Sequence, residues 1–316
     1  MLVPTQVTNL FVFSSAGASG YLGQHVLEAL LHLATPSHIY AVFGKNQAFA
    51  DAVSQYTNVT AVSVDLTDTD ALNVWHAQHP PMNFCIHAAA MSSPRVCQQD
   101  PSKAKALNVP VPLFERLQDQ KCQIIALSTD QVYAGDTNQL YVETDSAKPV
   151  NVYGETKLLM EQVLENITHG DAVVLRSSII LGPLAPFASA HDTFIHFCAG
   201  REGQSTDFYN DECRSVVWVE DVVSAILWFV DNSSRTRGGI YNMGGPRPLS
   251  RVDMARAVFQ HFGFDSISIV SKQKAGLSPG PVPSPLDISM DSSKLEDVIG
   301  RKFAGMDTIL ASTFPK

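Results

Sequence analysis

Short β-branched apolar runs alternate with segments of helical composition through the first half of the chain. Residues 10–13, 39–43, 60–64, 83–87, 123–127 and 172–175 read as strands. Helices are expected near 21–33, 68–78, 101–119 and 151–167. This alternation predicts a parallel sheet with helices packed on both faces. After Arg176 the pattern weakens. Residues 181–186 and 200–212 read as loops, 215–219 as a strand and 222–230 as a buried helix. Residues 278–285 are proline-rich and exclude regular structure. They could lead into a disordered tail, but the apolar positions of 286–295 and of the last residues favour an ordered lobe.

Hydrophobic residues make up 45% and charged residues 17% of the 316, an ordinary globular balance with ample material for a core. The net charge of −9, with no basic run, argues against a nucleic-acid surface. Five dispersed cysteines, with no paired spacing, read as reduced thiols of a cytoplasmic protein and hold no metal. Cys85 and Cys122 fall in apolar runs and are expected in the core. Neither a signal peptide nor a membrane span is expected. The sequons at Asn58, Asn166 and Asn232 are taken as chance matches.

Two stretches change the picture from fold to chemistry. Gly17-Ala18-Ser19-Gly20-Tyr21-Leu22-Gly23 lies between a strand-like and a helix-like segment. In that context, glycines let the backbone approach a pyrophosphate at a helix N-terminus, the signature of dinucleotide binding. Further on come Ser128-Thr129-Asp130-Gln131-Val132-Tyr133 and then Tyr153-Gly154-Glu155-Thr156-Lys157. Positions four apart share a helix face, which sets the Tyr153 phenol beside the Lys157 ammonium. A nearby ammonium is expected to lower the phenol pKa, as a proton donor to a carbonyl needs.

Together these motifs resemble the extended short-chain dehydrogenase/reductase superfamily, and within it the dTDP-4-dehydrorhamnose reductase branch. The branch's S-[ST]-D-Y-V-F-D-G is similar to Ser128–Gly135. Its Y-x-E-x-D…P-x-N-x-Y-G-x-[ST]-K-L is similar to Tyr141–Asp145 and Pro149–Leu158, and its L-D-x-S-K-L to Met290–Leu295. The resemblance implies a Rossmann-type doubly wound α/β fold with a smaller C-terminal substrate lobe. The cofactor domain is expected at 1–180 plus about 214–245, and the substrate lobe at about 181–213 plus 246–316. It also implies a catalytic set of Thr129, Tyr153 and Lys157. Tyr153 gives the carbonyl oxygen its proton, Thr129 orients that oxygen, and Lys157 holds the nicotinamide ribose.

By the same resemblance the cofactor meets Gly17, Ser19, Gly20, Tyr21, Leu22 and Gly23. It also meets Asp65 and Leu66 after the third strand, and His87, Ala88 and Ala89 after the fourth; Asn108 supports the site. Asp65 could equally cap a helix. The second strand ends at Phe43-Gly44-Lys45 with no carboxylate, which points to NADP over NAD, with Lys45 near the 2′-phosphate. Lys45 could equally be a solvated loop lysine.

Sugar-nucleotide dehydratases carry Thr-Asp-Glu where this chain has Thr129-Asp130-Gln131. An amide cannot abstract a proton, so reduction of a keto-sugar nucleotide is favoured over elimination. Asp130, Gln131 and Arg214 are the expected substrate contacts, although Arg214 could be a salt-bridged surface residue. Ser284-Pro285 replaces the branch's Arg-Pro pair, so an expected anion-binding arginine is missing. The chain is also similar to the regulatory β subunit of methionine adenosyltransferase, which acts by binding a partner enzyme. A regulatory role, a homodimer and epimerisation with tightly held NAD therefore stay open.

Overall fold

The computed structural model describes residues 17–33, 38–232, 238–276 and 280–316, together with the backbone of strand 9–13. Ser278 and Pro279 of the proline-rich stretch, and Ser233 and Ser234 of the third sequon, lie outside the described residues.

The first half runs β1 (Asn9–Phe13), α1 (Tyr21–Leu31), β2 (His38–Phe43), α2 (Gln47–Val53), β3 (Val59–Ser63), α3 (Thr69–Gln78) and β4 (Phe84–His87). It continues with α4 (Pro94–Gln99), α5 (Pro101–Asn108), α6 (Val111–Asp119), β5 (Gln123–Thr129), α7 (Val152–Thr168) and β6 (Val173–Ser177). Then follow β7 (Ile180–Leu181), α8 (Phe194–Ala199), β8 (Thr206–Tyr209), β9 (Cys213–Arg214), β10 (Val217–Trp218), α9 (Val219–Asp231) and β11 (Gly239–Met243). The chain closes with β12 (Leu249–Ser250), α10 (Arg251–Phe262), β13 (Ile269–Lys272), α11 (Ser293–Ile299) and α12 (Met306–Thr313).

Seven parallel strands form the main sheet in the order β11-β6-β5-β4-β1-β2-β3. Period-2 alternation explains how helices cover both faces. Ile39, Ala41 and Phe43 join Ile125 and Leu127 under α1 and α9. Tyr40 and Val42 face the other way, with Ile124 and Ala126, under α3, α6 and α7. Cys85 and Cys122 sit in that second core, as their apolar surroundings predicted.

Several expectations need correction. The helix over 101–119 is two helices, because Pro110 has no N–H to continue the ladder. Residues 215–219 form no continuous strand; β10 covers only Val217 and Trp218, and Val219 opens α9. The loop over 200–212 contains β8, which pairs in parallel with β13 some sixty residues later.

A third cluster, including Leu181, Ile195, Phe208, Leu249, Val258 and Ile309, forms a core of its own from α8, α10 and α12. The separation from the sheet is incomplete, since Leu295 and Phe303 pack into the first core.

Candidate functional site

A cleft of about 930 Å³ opens beyond the carboxyl ends of β1, β4, β5 and β6. The strand order reverses between β1 and β4. That reversal is where an open α/β sheet leaves a crevice for a ligand.

The glycine turn forms one wall, with Gly17, Gly20, Tyr21, Leu22 and Gly23 facing the cleft. A side chain at Gly23 would place its Cβ 1.4 Å from the Gly17 carbonyl oxygen, so only glycine lets α1 start this close to the turn. Ala88 and Ala90, after β4, continue the wall with small side chains.

β5 ends on Thr129, which is buried at the cleft. Its hydroxyl accepts a hydrogen bond from Gln131 N at 3.2 Å and donates to Asp130 Oδ1 at 3.2 Å, which holds the turn that follows. Tyr153 and Lys157 reach the same cleft from the first turns of α7. Asn151 caps that helix through Gly154 N at 3.0 Å. At Gly154 a Cβ would lie 2.2 Å from the Gln131 carbonyl, so glycine allows α7 to press against the Thr129 turn.

Burial pushes the Tyr153 phenol above its ordinary value; its hydrogen bond with Thr129 opposes the shift and the Asp130 charge adds to it. The expected lowering by Lys157 is not found: the influences on the phenol are burial, Thr129, Asp130 and Cys97, and the charge acting on Lys157 is that of Glu161. Lys157 is 2% exposed, and burial brings its ammonium down to about 8 against the pull of Glu161. Its Nζ donates to Met160 Sδ at 3.1 Å.

The remaining predicted residues divide by place. Asp130, Gln131 and Arg214 line the cleft. Ser19, Lys45, Asp65, Leu66, His87, Ala89 and Asn108 are not among its lining residues. Lys45 and Asp65 are exposed beyond β2 and β3. Asp65 caps no helix; Asp68 caps α3, and Asp65 Oδ1 accepts from Thr67 N at 2.9 Å and Thr67 Oγ1 at 2.7 Å. His87 is fully buried, edge-on to Phe114 with ring centroids 5.1 Å apart. Asn108 accepts from Met91 N at 2.7 Å and donates to Thr156 Oγ1 at 2.9 Å, joining the loop after β4 to α7.

Arg214 is not a surface residue. It is 1% exposed, and its guanidinium donates to the carbonyls of Cys213 (2.6 Å), Leu286 (3.0 Å) and Pro285 (3.1 Å). Its charge faces Asp130 at 3.9 Å and Glu212 at 3.5 Å. Burial raises the Asp130 carboxyl, with Arg214 the strongest opposing influence.

Residues 14–314 match the family described as RmlD substrate binding domain. The chain belongs to this family. It is 30% identical over 232 residues to a dTDP-4-dehydrorhamnose reductase of Mycolicibacterium smegmatis, across 72% of this chain and 67% of that protein. It is also 25% identical to methionine adenosyltransferase 2 subunit beta of Xenopus tropicalis, across 90% of this chain and 82% of that one. Among solved structures, dTDP-4-dehydrorhamnose reductase of Bacillus anthracis in complex with NADP superposes with a TM-score of 0.76 at 18% identity. That likeness covers 97% of this chain and 98% of that one and speaks to the fold alone.

In this RmlD-family chain the Met290–Leu295 motif clamps the C-terminal segment against the rest of the fold. Ser215 Oγ and the Met290 backbone exchange hydrogen bonds, and Ser292 Oγ accepts from Gly244 N at 2.7 Å. Lys294 Nζ donates to the Ile240 carbonyl at 2.7 Å, and Leu295 enters the core.

Two groups were missed from sequence. Beneath the site, Arg176 binds Glu161 through Nε (3.1 and 3.2 Å) and Nη2 (2.7 Å), Ser128 donates to the same carboxylate, and Tyr133 accepts from Arg176 Nη1 at 2.9 Å. Glu161 lies one turn after Lys157 on α7, a spacing that could have flagged it. At the lobe side Arg251 and Glu212 also line the cleft. No short-range signal joins residues so far apart in sequence.

Proposed function

We propose that the chain is an NADP-dependent reductase of a keto-sugar nucleotide. The observation that carries this reading is that one cleft brings the glycine turn and the Thr129–Tyr153–Lys157 set together. Tight glycine packing at Gly23 and small residues at Ala88 and Ala90 suit a dinucleotide lying along that wall. When bound, the nicotinamide would supply the hydride.

The chain's own residues handle the proton and the charge. Thr129 meets the carbonyl oxygen and steadies its developing negative charge. Burial keeps Tyr153 protonated, which is the state a donor to that oxygen requires. Lys157, which stays largely charged at neutral pH, favours the phenolate left behind. Gln131 lacks the proton-abstracting power that elimination needs.

The test is NADPH oxidation by cofactor-stripped protein with a dTDP-4-keto sugar. Tyr153→Phe should cut turnover by about 10²–10⁴-fold while NADPH affinity stays within a few-fold. Cofactor binding without oxidation by any keto-sugar nucleotide would overturn the reading.

The likeness to the methionine adenosyltransferase subunit runs along more of the chain than the likeness to the mycobacterial reductase. That supports a second reading, a cofactor-binding subunit that acts on a partner enzyme. A change in the kinetics of a methionine adenosyltransferase on adding this chain, with no NADPH oxidation, would favour it. Tightly held NAD in the purified protein would instead favour epimerisation.

A further inference from the structure

We propose that Arg251 is the cation that receives the diphosphate of a nucleotide substrate, in the place expected for Arg214. The proposal deepens the reductase reading and rests on it for the identity of the substrate. Arg251, Glu212, Arg214 and Ser284 all line the lobe side of the one cleft.

The commitments of the neighbouring cations single out Arg251. Arg214 is sealed at 1% exposure, and its donors are taken by three backbone carbonyls. Lys274 Nζ is held by Glu212 Oε2 at 2.5 Å. Glu212 is thus one carboxylate shared among three cations, and it gives Arg251 only Oε1, at 3.6 Å and shared with Arg214. Arg251 is therefore the most loosely held of the three at Glu212, with Asp130 adding a weaker attraction. Its side chain keeps 24% exposure, and its guanidinium lies 4.8 Å from the centroid of the Phe194 ring.

That geometry suits a planar fork awaiting an anion. The guanidinium sits over the Phe194 ring, Arg251 lines the cleft, and a guanidinium's paired N–H donors match the paired oxygens of a diphosphate. Ser284, standing where the family pattern places arginine, lines the same region with a hydroxyl. Arg251 supplies from α10 the positive charge that this position lacks. Arg214 becomes a positioning residue: it anchors the 285–286 backbone and Asp130.

The experiment titrates dTDP, UDP and thymidine into the NADPH-saturated full chain, for wild type, Arg251→Met and Arg251→Lys. Arg251→Met should weaken both diphosphates at least about tenfold, leave NADPH affinity unchanged and reduce the salt dependence of dTDP binding. Arg251→Lys should fall between, because a point charge cannot make the paired contact. Equal dTDP affinity in wild type and Arg251→Met, or in Arg251→Lys should Arg251→Met not fold, overturns the proposal. So does a wild type that binds neither diphosphate. Keto-sugar turnover is scored separately. Diphosphate binding lost in Arg251→Met, with no turnover in wild type, supports the Arg251 site and removes the reductase reading. Turnover with the same kcat/KM in both leaves the reductase reading standing and removes the Arg251 site.

Discussion

Asn151 donates from Nδ2 to the Pro283 carbonyl at 3.1 Å, tying the start of the Tyr153 helix to the proline segment on the far side of the cleft. The same amide donates to Gln131 Oε1 at 3.0 Å, while its Oδ1 caps the helix. One side chain therefore sets three parts of the site. Asn151→Ala should lower stability by about 1–2 kcal/mol, the usual cost of a lost cap. Asn151→Asp keeps the capping oxygen but loses both donations. It should hold most of the stability while raising the substrate KM, with NADPH affinity unchanged. Urea midpoints and steady-state kinetics separate the two effects; a parallel loss in both variants would reduce Asn151 to a cap.

Glu161 and Arg176 are side chains exposed by only 2% and 4%, joined by paired hydrogen bonds under the Lys157 turn. Removing one charge strands the other away from water. Glu161→Gln should therefore cost about 3–5 kcal/mol, read from denaturant unfolding. The double variant Glu161→Gln/Arg176→Met should recover part of that loss. A double variant no more stable than the single one would show that packing, not charge pairing, dominates there.

The sheet was legible where local pattern decides structure. The six predicted strands match β1 to β6, because buried parallel strands show as β-branched runs, and Thr129 falls at the end of β5. β11 was not legible: Gly-Ile-Tyr-Asn-Met includes Asn242, which is buried because its amide serves Tyr133 and Tyr141 across the fold. β8 hid for a related reason, since Thr-Asp-Phe-Tyr is largely exposed and pairs with β13 far along the chain. In the site, the motifs placed Thr129, Tyr153 and Lys157 in the cleft. His87 was read as following β4 but is its last residue, and alternation turns its ring to the same face as Cys85, against Phe114. Arg214 falls in the cleft as expected, but its burial was not legible, because its partners are backbone carbonyls, which carry no sequence signature.

His87 is buried beside Phe114, and both ring nitrogens lack a hydrogen-bond partner among the described residues. Burial, with the Lys157 charge adding, lowers its pKa to about 3. The unfolded chain protonates this ring near about 6.5, so between these values the unfolded state binds the extra proton. Stability should therefore fall as pH drops below about 6.5, with a slope of up to about 1.4 kcal/mol per pH unit from this residue. His76, lowered to about 4 chiefly by burial, acts in the same window. His87→Leu should remove close to one proton from the slope, measured by urea unfolding across that range. An unchanged slope would mean that the buried ring does not stay neutral in the native protein.

Lys45 follows the end of β2 at an exposed position, and no ion pair holds it among the described residues. The Asp65 carboxylate, which feels the Lys45 charge, is occupied with Thr67, whose hydrogen bonds keep it below the ordinary carboxylate range; Lys103 and Lys45 add smaller influences. The turn directly after β2, Gly44-Lys45-Asn46, thus carries a cation and no carboxylate of its own, which suits a ribose carrying a 2′-phosphate. An exposed charge is screened by water and salt, so the expected effect is modest. Lys45→Ala should weaken NADPH binding by about three- to tenfold and leave NADH binding unchanged, with the difference shrinking as salt rises. Calorimetric titration of both cofactors measures it directly. An equal loss for NADPH and NADH would show that Lys45 supports the loop and does not read the phosphate.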